Sequence, residues 1–353
     1  MNTKKYIELR HQLHQNAEMS GCEIKTIKIL TEFLSENSDC EIVPQGKWFY
    51  AVKRGGERKI AFRADMDALP IPETPDCKYG SLNPAVSHRC GHDGHSAALA
   101  AFACECRSEN TVYFIFQHAE ETGDGAKECA ILLKEEGIDE VYAFHNLPGF
   151  EKNKVFCRKG TFACASMGLE LIFVGSPSHA AYPENGVNPA YAIAEILLSL
   201  EGLKSDFTKM TLITVVGVEI GGENYGTSAG MGKFYLTIRG ELENELLTLK
   251  ERIINLCEKK AVNMEFAYTI HDPFPETKNH DICVEKIINL CDNYKYLENP
   301  MRWSEDFGYF LKETPGAIFG IGAGDCAPLH TEEYDFPDEL IETAIDAFQK
   351  LAR

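Results

Sequence analysis

Within residues 87–97, SHRCGHDGHSA, five side chains are of types that do chemistry: His88, Cys90, His92, Asp93 and His95. Cys90 and His92 stand one residue apart and can converge on one cation from a turn. Thiolate, imidazole and carboxylate together are the donor set of zinc and neighbouring transition metals. The same run also reads as a helix N-terminus capped by Asp93 and Ser96, its histidines solvated. A third reading makes Cys90 a nucleophile with a histidine base, although a thiol flanked by His92 on its own loop is more readily captured by metal. These residues alone leave the three open.

Further donors lie far away in the chain. Glu120 and Glu121 follow the apolar run TVYFIFQ, His145 ends VYAFH, and His330 sits in APLHTEEYDF. Adjacent side chains at a strand end point in different directions, so one glutamate can bind metal while the other faces substrate. Taken singly, an exposed glutamate pair or a lone histidine is ordinary surface. Cys90, His92, a glutamate, His145 and His330 together make five donors from separate segments, which suits two metals with a water between them better than one structural zinc. No GxSxG marks a serine hydrolase. The glycine-rich GGERK and GVEIGGEN fit neither GxGxxG nor a Walker loop, so no nucleotide site is expected.

These residues need a scaffold, and the chain is long enough for one. Its 353 residues, 44% hydrophobic and 25% charged, describe a globular protein of more than one domain. A formal charge of −19 opposes nucleic acid and anionic lipid as partners. No run approaches a membrane span, and the N-terminal MNTKKYIELRHQLHQ lacks the apolar core of a signal peptide, so a cytoplasmic protein is expected. Thirteen scattered cysteines fit reduced thiols in such a compartment.

Apolar spacing predicts helices over 3–16 and 24–37. Residues 48–67 read as a hairpin about Gly55 and Gly56 that delivers Asp65 and Asp67 to a strand end, and the Pro-rich residues 68–87 as loop. A helix over 96–107 and buried strands over 111–117 and 141–146 follow, the alternation of a mainly parallel sheet with ligands at the carboxyl ends of its strands. From about Gly168 the order becomes β-α-β-β-α-β, a ferredoxin-like signature. The fold class is therefore α/β, a three-layer α/β/α domain formed by 1–166 and 272–353 with an inserted ferredoxin-like α+β domain over 167–271.

Eight motifs, RHQLHQNAEMSGCEIKT, FRADMDALPIPET, SHRCGHDGH, FQHAEETGDGAK, FHNLP, GSPSHAAYPENGVNPA, SEDFGYF and LHTEEYDFPDELI, occur in that order. They resemble the metal-dependent amidohydrolase and aminoacylase family that includes hippurate hydrolase, N-acetyl-diaminopimelate deacetylase and indole-acetyl-amino-acid hydrolases. The resemblance implies a dimetal catalytic domain with an inserted lid. It implies two divalent ions, zinc, manganese, cobalt or nickel, held by Cys90, His92, Glu121, His145 and His330. Glu120 is similar to the family's general base, and Asp67 to the carboxylate that orients a metal-bound histidine. Asp65 and Asp93 are weaker candidates for such support, and helix capping competes for Asp93. In the lid, His179 is similar to a histidine that reaches the substrate carbonyl, and Arg239 to an arginine near the substrate carboxylate, with a partly buried strand arginine as the alternative.

The implied activity is hydrolysis of the amide bond of an N-acyl-amino acid by a metal-activated water. A dipeptidase or aminopeptidase and a non-catalytic metal-binding protein are the rival readings, and lid-mediated homodimers accompany the resemblance. Three departures stand out. Gly226, Thr227, Ser228 and Ala229 replace an Asn-Val-Ile-Pro run, His118 replaces a proline, and Arg89 replaces a small residue. The last two are expected to add polar groups at the rim, or to be neutral.

Overall fold

The computed structural model describes residues 3–74 and 77–353. Pro75 and Asp76, in the expected 68–87 loop, lie outside the described residues. The chain divides into two units: 1–162, 277–300 and 306–353 form the first, and 163–276 with 301–305 the second. The expected insertion, 167–271, falls within the second unit's main segment.

The first unit is built on an eight-stranded mixed sheet. At its centre Asn110–Gln117, Gly56–Asp65, Glu140–Pro148 and Gly316–Gly324 lie side by side and parallel. Each of the four is buried on both faces over most of its length, the pattern of interior parallel strands. The expected hairpin does not form. Phe49–Lys53 and Gly56–Asp65 both pair with Asn110–Gln117, which lies between them. Two apolar runs about a Gly-Gly turn fit a hairpin equally well in sequence; the buried strand that separates them comes fifty residues later, where local pattern cannot see it.

On one face the helix His92–Glu105 lies buried along nearly its whole length. Its alanine-rich stretch, Ala97 to Ala103, has short side chains that let Thr3–Gln15, Leu340–Leu351 and the sheet approach closely. Phe62 meets Phe102 and Phe348 edge-on, ring centroids 4.9 Å apart in both pairs. The opposite face carries Arg63, Tyr113 and Ile115, also buried, beside the short helices Gly125–Cys129 and Gly308–Glu313.

The second unit is a four-stranded antiparallel sheet, Thr211–Ile220, Met231–Gly240, Ala165–Val174 and Glu265–Phe274 in spatial order, with the helices Ala190–Ser199 and Glu243–Lys260. Strand, helix, strand, strand, helix, strand in sequence gives the ferredoxin-like arrangement. Residues Leu169, Leu171, Phe173, Phe234, Leu236 and Ile238 make its core with Ile193, Leu249 and Ile253 of the helices. No helix among the described residues is long and apolar enough to cross a membrane.

Candidate metal centre

The central strands end on one side of the sheet, and their last residues and the segments after them carry the candidates of the first unit. The helix expected to start at Ser96 starts at His92 instead, so the Cys/His run is its N-terminal turn. Gly91 precedes it with φ +98°, a conformation that suits glycine, and a Cβ there would lie 2.8 Å from Asn146 Oδ1. That turn aims Cys90 and His92 inward, and both are buried.

Nine of the eleven candidate residues lie in the first unit, and seven of them, all but Asp65 and Asp93, are brought together. Cys90 Sγ is 3.5 Å from His145 Nε2. His92 Nε2 is 3.9 Å from Glu120 Oε2 and 3.8 Å from Glu121 Oε1, and Glu121 Oε1 is 3.6 Å from His330 Nε2. Potential donor atoms of Cys90, His92 and His145 lie within 4.8 Å of one another, as do those of Cys90, Glu121 and His330. The two groups share Cys90.

The histidines are oriented from behind. His92 Nδ1 faces the carbonyl oxygen of Asp67 at 3.0 Å and its Oδ1 at 3.2 Å. His145 Nδ1 donates to the carbonyl oxygen of Asn146 at 2.9 Å. With protons on Nδ1, both rings turn the lone pair of Nε2 toward the cluster, as metal-ligating histidines do. His92 Nε2 and Glu121 Oε1 are buried and have no hydrogen-bond partner among the described residues. Their mutual distance of 3.8 Å is too long for one. Buried polar atoms left in that state are costly, and a cation between them would satisfy both. The donor set therefore fits a divalent metal.

The electrostatics agree. Burial, then the nearby Glu121 carboxylate, pushes the Cys90 thiol well above its ordinary range. A nucleophilic cysteine needs electropositive surroundings, so this setting favours a cation over a thiol nucleophile. Burial alone would discharge His92, but Asp65, Cys90 and the hydrogen bond to Asp67 outweigh it and raise the ring's pKa well above the ordinary value; a cation bound at Nε2 would take the place of that second proton in the same anionic surroundings. Asp67 is fully buried, yet its bonds from His92, Ser20 and the Glu121 amide hold its carboxyl below the usual range.

Glu120 and Glu121 do not diverge as a strand end would have them. The strand stops at Gln117, Ala119 takes a left-handed φ of +48°, and residues 119–125 turn back so that both carboxylates approach His92. Glu23 holds this turn, its Oε1 accepting the Ala119 amide at 2.8 Å, and Ser20 Oγ donates to Asp67 Oδ2 at 2.7 Å. The Asp306 amide donates to Glu120 Oε1 at 3.3 Å, while the Asp306 carboxylate takes bonds from Arg63 and Gln117. Ser20, Glu23, Asn146 and Asp306 were not singled out from sequence. Their signal was membership of the ordered motifs, with nothing to say what each would touch.

Asp65 lies behind the cluster, bonded to His95 Nδ1 and to Arg63 at 2.7 Å each. His95 Nε2 meets Asn146 Oδ1, so both of its nitrogens are engaged and it offers no lone pair. Asp93 turns away to His14 Nδ1, 2.8 Å, and Arg10. Arg89 and His118 are not at the rim: both are buried.

The remaining two candidates, His179 and Arg239, belong to the second unit. His179 is exposed, and its Nδ1 accepts the Ala181 amide at 3.0 Å. Thr227 and Ser228, from the segment that replaces the Asn-Val-Ile-Pro run, pair with His179 and Ser178 as a two-stranded ribbon. Arg239 donates to Ser304 Oγ at 2.9 Å and makes no ion pair among the described residues.

The sequence profile of peptidase family M20/M25/M40 matches residues 61–353. A hippurate hydrolase of Campylobacter jejuni is 28% identical, the alignment covering 98% of this chain and 95% of that protein. An N-acetyldiaminopimelate deacetylase of Limosilactobacillus reuteri is 27% identical over 98% of this chain and 97% of its own. Among solved structures, a putative aminohydrolase from methicillin-resistant Staphylococcus aureus superposes with a TM-score of 0.90 at 24% identity, covering 99% of this chain and 95% of that one. A dinuclear metal-binding M20 peptidase of Bacillus subtilis gives 0.83 at 24% identity, covering 99% and 97%. These two structures speak for the fold.

Proposed function

The chain belongs to peptidase family M20/M25/M40 and is a metal-dependent amidohydrolase, and from that premise we propose that it hydrolyses the amide bond of an N-acyl-amino acid. In this reading Cys90, His92, Glu121, His145 and His330 hold two divalent ions. The observation that carries it is the pair of donor groups sharing Cys90, with Glu120 beside them. When bound, the two ions would supply Lewis-acid activation of the attacking water and of the scissile carbonyl.

The chain's own residues do the rest. Glu120 takes the proton of the attacking water and returns it to the leaving amine. The Asp306 amide donates to Oε1, and Oε2 lies 3.9 Å from His92 Nε2, which holds the carboxylate at the cluster. Asp67 keeps the His92 ring in the required tautomer and orientation. In the second unit the Ala181 amide occupies Nδ1 of His179, so the neutral ring carries its proton on Nε2. That proton is the donor for the developing oxyanion of the substrate carbonyl, a contact worth about 3 kcal/mol in comparable sites. Arg239, which has no carboxylate partner among the described residues, binds the substrate carboxylate.

The names of the relatives support an acyl-amino acid over a free peptide. A panel of N-acetyl- and N-benzoyl-amino acids against free dipeptides, run after chelation and refilling with each metal, tests this. Preference for free dipeptides moves the reading to a dipeptidase, and activity untouched by complete metal removal rejects it. The outer strand of the second unit exposes Val215, Val216 and Val218, which support a homodimer through that unit; light scattering tests it.

A further inference from the structure

Cys90, His92, Glu121 and His145 are set by a helix turn, a strand and a tight turn. His330 has no such support: between the strand that ends at Gly324 and the helix that begins at Leu340, no helix or strand forms. Its backbone is also left-handed, φ +61°, a conformation uncommon in residues other than glycine, although histidine takes it more readily than most. What holds it is the residue before Cys90. The Arg89 carbonyl accepts the His330 amide at 2.8 Å. The Arg89 side chain, 2% exposed, reaches four residues further and donates from Nη1 to the Tyr334 carbonyl.

The guanidinium is itself anchored. Nε donates to Ser87 Oγ at 3.0 Å, and Nη2 lies 2.8 Å from Glu73 Oε1, an ion pair too oblique for an aligned hydrogen bond. Glu73 in turn accepts His14 Nε2 at 2.9 Å and the Ser81 amide at 2.6 Å. Asn146 Nδ2 donates both to the Cys90 carbonyl and to Tyr334 Oη, which closes the link on its far side. Asp335 and Phe336 are fastened separately, by Arg10. The stretch from His330 to Tyr334 is thus gripped at both ends by one residue, and a small side chain at position 89 would keep the first grip and lose the second.

We propose that Arg89 is a positioning residue that clamps the His330 loop onto the Cys90 turn and so sets the affinity of the metal held by Cys90, Glu121 and His330. The inference rests on the metal-centre reading above. It is specific to one of the two ions, because His92 and His145 are placed without Arg89.

The test is zinc binding to the full chain by competition with a chromophoric chelator, comparing wild type with Arg89→Met and Arg89→Lys. In Arg89→Met, His14 still pairs with Glu73, so no buried carboxylate is stranded. Wild type should take up two ions. Both variants should take up one with affinity unchanged within about twofold and the other about tenfold or more weaker, the range typical of lost support behind a ligand. Equal weakening of both ions, or none, in a folded variant overturns the clamp alone. A wild type that takes up no metal overturns the metal-centre reading with it. Hydrogen exchange on the metal-free wild type gives a reading even if the variants do not fold. The amide of His330 should stay protected before any metal is added, and exchange at the rate of an open loop overturns the clamp.

Discussion

Asp67 and His92 meet twice: the ring's Nδ1 lies 3.0 Å from the aspartate's main-chain oxygen and 3.2 Å from its carboxylate. The backbone contact alone would fix the tautomer, so the carboxylate's separate contribution is charge. Its other oxygen takes the Ser20 hydroxyl and the Glu121 amide. Asp67→Asn should therefore keep the fold and the ring's orientation while weakening metal binding by roughly 10- to 100-fold. Chelator competition measures it, and unchanged affinity would show the carboxylate to be dispensable.

Glu120 is asked to move a proton. Glu120→Gln keeps the side chain's size and can still accept the Asp306 amide, but it cannot serve as a base. Metal content should stay at the wild-type level while kcat falls by roughly 100- to 10,000-fold. Full turnover in this variant removes Glu120 from the mechanism.

His14 lies between Asp93 and Glu73, with one carboxylate on each nitrogen. Burial works against its charge, but the two hydrogen bonds outweigh it and raise its pKa to about 9 from 6.5. Glu73, opposed by burial and favoured by His14, falls to about 2 from 4.5. A raised histidine stabilises the fold fully below about pH 6.5 and loses that contribution as pH rises through about 9. A lowered carboxyl stabilises fully above about pH 4.5 and loses its contribution as pH falls through about 2. The two belong to one interaction and are counted once. Metal-free wild type should lose on the order of 3 kcal/mol between pH 6.5 and 9.5 from this source, and His14→Gln should show a flatter profile over that span. Urea unfolding at three pH values checks it.

Gly94 lies in the first turn of the helix that begins at His92, against the Phe336 ring; a Cβ there would come within 2.4 Å of it. Gly94→Ala should destabilise the protein by about 1–3 kcal/mol, and adding Phe336→Leu should recover part of the loss. Thermal unfolding of the single and double variants decides this. No recovery in the double variant means that the ring is not the obstacle.

The eight ordered motifs held the candidate donors, and periodicity held the alternation of strands and helices, because both are local signals repeated along the chain. What escaped was non-local. Phe49–Lys53 and Gly56–Asp65 look like a hairpin until Asn110–Gln117 is placed between them. Arg89 and His118 look like rim residues because both types are usually exposed, yet Tyr334 and Glu73 give Arg89 a buried seat. The two glutamates converge because Ala119 turns left-handed, which nothing in FQHAEE announces. His88 looks solvated, but it is buried with neither ring nitrogen hydrogen-bonded among the described residues, and burial lowers its pKa to about 4.

The strand Gly316–Gly324 lies beside Glu140–Pro148 at the middle of the large sheet, although the whole 163–276 segment separates them in sequence. During synthesis the second unit, with all four of its strands in that one segment, can close while the first still presents Glu140–Pro148 as an open edge. His330 follows the late strand. A nascent chain can therefore display Cys90, His92, Glu121 and His145 well before the fifth candidate donor exists, so the group of Cys90, Glu121 and His330 is completed only by closure of the sheet.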